Sequence, residues 1–74
     1  STRVRIGSIV TVKLDPGSAT YTYEILGSQE SNPMKGKISR HSPIGKALLG
    51  CMVGDVVNVT VGDRATRYTV LAIN

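Results

Sequence analysis

Apolar and polar residues alternate along most of this chain, and the breaks in the alternation mark its turns. In Ser8-Ile9-Val10-Thr11-Val12-Lys13-Leu14, the side chains of Val10, Val12 and Leu14 share one face, the period of two of a half-buried strand. The run stops at Asp15-Pro16-Gly17-Ser18, where Pro presets φ and Gly accepts the positive φ of a type II turn. Tyr21, Tyr23 and Ile25 then share a face as far as Gly27, so the two runs read as a hairpin. Ser28 to Pro33 is polar and predicts a loop, and Gly36-Lys37-Ile38-Ser39 predicts a short strand.

The period changes at Ser42-Pro43. Ser is a helix-capping residue, and Pro at the first helical position gives up no needed hydrogen bond. Ile44, Ala47 and Leu48 recur at helical spacing, and Gly50 is placed to end the helix in a left-handed conformation. A helix this short is unstable alone and must pack against a sheet. Val53-Gly54-Asp55 predicts a turn. Val57, Val59 and Val61 then alternate with Val56, Asn58 and Thr60, and Gly62-Asp63 begins a connection. From Thr66 to Ile73 the alternation resumes, with Tyr68, Val70 and Ala72 on one face, giving a second hairpin. The expected fold is α+β: one domain over residues 1–74, an antiparallel sheet of about five strands curled around one short helix, which covers the apolar face the sheet cannot bury alone.

Composition sharpens this picture. A chain of 74 residues has a thin core, too small for a deep active-site cavity with a supporting shell. Its apolar residues are mostly Val and Ile, with three Tyr and neither Phe nor Trp, a bias toward strands. The single Cys51 excludes an internal disulfide framework and favours a reducing, cytoplasmic setting. No apolar run approaches the ~20 residues of a membrane span, and nothing apolar follows Arg3 and Arg5 to make a signal peptide. The expected chain is a monomer without cofactor or metal. Asn58-Val59-Thr60 is a chance glycosylation sequon inside a strand pattern. Net charge is +4, and between Ser31 and Gly54 there is no acid while Lys35, Lys37, Arg40 and Lys46 fall there. That stretch is a candidate basic contact surface.

Catalytic chemistry is poorly supplied. His41 and Cys51 are the only residues of their types and could form a nucleophile pair, but Cys51 reads first as a small core hydrophobe. One Cys, one His and five scattered carboxylates offer no zinc spacing or calcium loop. Gly45-Lys46-Ala47 lacks the Ser or Thr and the upstream Gly of a phosphate loop. The basic stretch could contact phosphates, but single-strand binders add aromatic platforms, and Tyr21 and Tyr23 are explained equally by sheet packing. Nucleic-acid binding is expected to be at most weak and non-specific.

The run Gly36-Lys37-Ile38-Ser39-Arg40-His41-Ser42-Pro43-Ile44-Gly45-Lys46-Ala47-Leu48-Leu49-Gly50, followed by Val53-Gly54-Asp55, resembles the C-terminal domain of the bacterial Gre transcript-cleavage factors, GreA/GreB-like. Gly7-Ser8-Ile9-Val10-Thr11-Val12 and Tyr23-Glu24-Ile25-Leu26-Gly27 resemble that family's first and second strands. The resemblance implies an FKBP-like fold and binding to RNA polymerase at the coiled coil on the rim of its secondary channel. It singles out His41, Ser42 and Pro43 as the polymerase-binding residues, with His41 where the family commonly has Asp or Asn. The family's N-terminal coiled coil, whose acidic tip helps hold catalytic magnesium, is not among these residues, so the chain alone is expected not to stimulate cleavage and not to be an enzyme. Two alternatives stand beside polymerase docking. One is a basic nucleic-acid-binding domain. The other is an FKBP-like peptidyl-prolyl isomerase, for which a chain without Phe or Trp is badly equipped.

Overall fold

The computed structural model describes residues 2–28 and 31–74. The first two alternating runs become β1 (Ile9–Asp15) and β2 (Thr20–Leu26), paired antiparallel with Val10 opposite Tyr23. At their turn Gly17 has φ +94°, as a Pro-Gly connection requires, and the Asp15–Pro16 peptide is cis. Of the loop expected over 28–33, residues 29 and 30 lie outside the described residues. Pro33–Lys35 then forms a single 3-10 turn before β3 (Lys37–Ser39). A six-residue helix, α1 (Pro43–Leu48), follows, and β4 (Val56–Val61) and β5 (Arg64–Ile73) make the second hairpin. Its connection is shorter than expected, because β5 begins directly after Gly62-Asp63.

The sheet order is β3-β2-β1-β5-β4. One pairing departs from the all-antiparallel expectation: β3 runs parallel to β2, with Ile25 opposite Ile38. The reason is the connection. A tight hairpin reverses the chain, whereas a longer crossover can carry it back to run alongside in the same direction. Gly27 to Gly36 is long enough to do so here.

The core is the concave side of this sheet. Val10, Val12, Tyr23, Ile25, Ile38, Val59, Tyr68 and Val70 are buried there against Leu48 of α1. Burying each such aliphatic side chain contributes about 1.5–3 kcal/mol, which is what holds so short a helix in place. α1 touches both edge strands, β3 and β4, so the sheet curls around it.

β5 corrects the expected facing of its last residues. Thr11 lies opposite Ala72 but Val12 lies opposite Val70, so β5 carries one extra residue there, a β-bulge. Past the bulge the alternation inverts, and Ile73 rather than Ala72 packs on the core. Leu71 is left exposed on the outer surface.

Candidate functional site at the helix start

The segment Ser39–Pro43 turns the chain from β3 into α1 and is tied by side-chain hydroxyls. Ser42 has extended backbone, and its Oγ accepts the Gly45 N–H at 3.1 Å. That donor would otherwise be one of the unpaired N–H groups of a helix N-terminus. The same hydroxyl donates to the Ser39 carbonyl at 2.8 Å, a carbonyl that also accepts the Ser42 N–H at 3.0 Å. Pro43 occupies the first helical turn without losing a donor.

Ser39 was not singled out in the sequence, yet it fastens the other half of the turn. Its buried hydroxyl donates to the Ser28 carbonyl at 2.6 Å and accepts the His41 N–H at 3.0 Å. A serine whose side chain bonds the N–H two residues on is a recognised turn former, so a Ser two residues before His41 was the available signal. Gly45 completes the arrangement. A Cβ on it would collide with the Ser39 carbonyl oxygen and come within 3.1 Å of Ser42 Oγ, so only glycine lets α1 start this close to β3. Gly45 therefore belongs to a packed helix start and not to a phosphate loop. At the far end Leu49 donates to the Gly45 carbonyl and Gly50, at φ +84°, donates to Val4, ending the helix as its position predicted.

This scaffold presents His41 and Pro43 to solvent, with Ser42 half-buried between them. The imidazole is not an idle acceptor: Arg40 Nε donates to His41 Nε2 at 3.4 Å. A neutral ring has one accepting nitrogen, so here that lone pair faces a neighbouring cation.

The four cations of the basic stretch do not act as one surface. Lys37 Nζ donates to Glu24 Oε1 at 2.9 Å, an acid brought from β2 by the parallel pairing that no reading of the stretch itself could supply. Arg40 is turned onto His41, Lys35 is exposed on the 3-10 turn, and Lys46 is exposed on α1. An exposed pair such as Lys37–Glu24 contributes little to stability, but it lowers the local positive field.

Cys51 is buried, and its thiol donates to the Ala47 carbonyl at 3.3 Å. Burial, with a smaller contribution from the Asp55 charge, pushes its pKa up. A protonated thiol engaged this way is a core group and not the nucleophile of a Cys–His pair. Burial likewise raises the pKa of Tyr23 and Tyr68, and Tyr21 stacks on Tyr23 with centroids 6.0 Å apart. Among the described residues no helix is long and apolar enough to cross a membrane.

Residues 1–74 match the family model described as transcription elongation factor, GreA/GreB, C-terminal. The chain is 45% identical over 71 residues to transcription elongation factor GreA of Clostridium botulinum (strain Langeland), covering 96% of this chain and 44% of that protein. It is 49% identical over 70 residues to GreA of Alkaliphilus oremlandii, covering 95% of this chain and 44% of the relative. The chain thus spans less than half the length of these relatives. The crystal structure of GreA factor homolog 1 of Thermus thermophilus superposes with a TM-score of 0.81 at 32% identity, over 100% of this chain and 50% of that one. The mixed, curled sheet around one helix is that domain's fold, and the chain belongs to the GreA/GreB transcription elongation factor family as its C-terminal domain.

Proposed function

We propose that this domain is the RNA-polymerase-docking module of a Gre-type elongation factor, and that it grips the coiled coil at the rim of the secondary channel through His41, Ser42 and Pro43. The observation that carries this reading is the helix start itself. Two exposed side chains, His41 and Pro43, stand on a turn whose backbone is tied by Ser39 and Ser42 and packed through Gly45. A rigid, partly apolar projection loses little conformational freedom on binding, which is the condition for a reproducible protein contact. Arg40 and Lys46 beside it favour an acidic or amide-bearing partner surface.

In this reading the domain binds and does not catalyse, and stimulation of cleavage would require the acidic coiled-coil arm that Gre factors carry. Its nucleic-acid affinity is weak and non-specific, because Lys37 is paired with Glu24 and the remaining cations are dispersed. The test is competition: excess domain should displace a full-length Gre factor from polymerase and should not itself stimulate cleavage in a backtracked complex. Failure to compete well above the intact factor's affinity would refute a shared rim site. A salt titration on single-stranded nucleic acid tests the second point, with a log–log slope of about −0.7 per phosphate contacted if the cations bind there.

A further inference from the structure

The exposed side chains around the helix start offer hydrogen-bond donors and no free acceptor. Arg40, His41, Pro43 and Lys46 are exposed there. Arg and Lys only donate, and the side chain of Pro does neither. A neutral imidazole has one accepting nitrogen and a protonated one has none. In His41 that nitrogen, Nε2, already takes Arg40 Nε–H at 3.4 Å, which leaves Nδ1–H as a further donor. Ser42 is half-buried, and its hydroxyl donates to Ser39 and accepts from Gly45. Nor does an acid of this chain answer the charge. Residues 31–54 contain none, Glu24 is held by Lys37, and Asp55 Oδ2 accepts the Met52 N–H.

The contact with His41 also decides which part of the Arg40 guanidinium is free. Nε–H is turned to the ring, so the two Nη groups at the end of the fork have no hydrogen-bond partner among the described residues. That end matches the two oxygens of a carboxylate. His41 is itself fixed through its N–H to Ser39 Oγ at 3.0 Å. The guanidinium is thus held against a residue whose place the turn sets, and it has less freedom to lose on binding.

We propose that Arg40 and His41 together take one carboxylate of the docking partner, so that the domain selects a coiled-coil surface with Asp or Glu at that point and rejects one with Lys or Arg. Arg40 makes the contact, His41 positions it and adds Nδ1–H, and Lys46 adds positive charge from α1. The inference rests on polymerase docking through the helix start and goes beyond it by fixing the chemistry of the group opposite. An uncharged amide would accept the hydrogen bonds but leave the local charge unanswered. A basic group would meet Arg40 with no acceptor between them, a like-charge contact that discriminates against the wrong surface.

Fluorescence anisotropy of the labelled 74-residue chain with RNA polymerase free of nucleic acid, at low and high salt, tests this. Arg40→Gln should weaken binding about fivefold at low salt, the upper end for an exposed ion pair, and less at high salt. His41→Gln, whose amide accepts from Arg40 and donates outward, should bind like the parent. His41→Asp should weaken binding at least as much as Arg40→Gln, because its carboxylate takes up Arg40 and repels that of the partner. Arg40→Glu should be rescued by a polymerase in which one acidic residue of the rim coiled coil is changed to Lys. Pro43→Ala, the control for docking itself, should weaken binding similarly at both salts. Circular dichroism checks that each variant is folded. If Pro43→Ala weakens binding while His41→Asp tightens it, Arg40→Gln leaves it unchanged, or no rim substitution rescues Arg40→Glu, the carboxylate contact is overturned and docking stands. If no variant alters binding, both are overturned.

Discussion

Replacing Ser42 by Ala removes one oxygen atom and two hydrogen bonds. The first is the cap, in which Oγ accepts the Gly45 N–H at 3.1 Å. Loss of a Ser cap costs about 1 kcal/mol, within a range of roughly 0.5–2. The second is the bond from Oγ to the Ser39 carbonyl at 2.8 Å. An intramolecular hydrogen bond of this kind has a net worth of about 0.5–1.5 kcal/mol. The lower half of that range applies, because the Ser39 carbonyl keeps the Ser42 N–H at 3.0 Å. Gly45, by contrast, is buried, so its N–H is left without easy access to water. The sum is about 2 kcal/mol. In a domain of this size each kcal/mol moves Tm by roughly 4–8 °C, so the expected fall is about 8–16 °C. Thermal unfolding followed by far-ultraviolet circular dichroism measures it, and urea unfolding should show a lower midpoint with an unchanged m-value. Ser42→Asp separates the two bonds, since a carboxylate accepts from Gly45 but cannot donate to Ser39, and should recover part of the loss. A Ser42→Ala shift below about 2 °C would mean that the hydroxyl does not hold the helix start, and the rigid-projection argument for the docking site would fall with it.

Gly45→Ala should destabilise the domain even though Ala is the better helix former: crowding against the Ser39 carbonyl costs about 1–3 kcal/mol against a propensity gain of about 1, so chemical denaturation should show a net loss. Pro43→Ala should weaken polymerase binding in folded protein. His41→Asp should leave folding unchanged and alter polymerase binding, with the carboxylate shared between Arg40 and any basic group of the partner; if neither variant changes binding, the contact lies elsewhere. Stability should decline on the alkaline side, because Cys51, Tyr23 and Tyr68 hold their protons more tightly folded than unfolded. The unfolded chain then loses protons first, so their contribution is complete below the ordinary thiol value of about 8.5 and fades above it, with the tyrosines following above about 10. A pH series of urea midpoints checks this, and Cys51→Ser should remove the earlier part of the decline.

Much of this domain is local and was therefore legible in the chain itself. The period of two placed β1, β2, β4 and β5, because a strand's side chains alternate whatever it pairs with. Ser42-Pro43 located the helix start and Gly50 its end, because caps are satisfied within a few residues. The stretch Gly36 to Gly50, with Val53-Gly54-Asp55, carried the family, which the match over residues 1–74 shows. What the tertiary structure alone decided is which distant segments meet. Alternation states no pairing direction for a strand of any length, and only the structure showed that β3 lies parallel to β2. That pairing brought Glu24 to Lys37 and changed the charge of the basic stretch. The bulge opposite Thr11 and Val12 turned Ile73 inward, an inversion that depends on pairing register and leaves no mark in the alternation of β5. Gly45 entered the sequence reading only in a rejected phosphate-loop pattern and in the family motif, and its role became visible once α1 lay against Ser39, since a missing Cβ acquires a reason only when another backbone fills its place. Periodicity and capping belong to neighbours in the chain, whereas direction, register and close approach belong to neighbours in space.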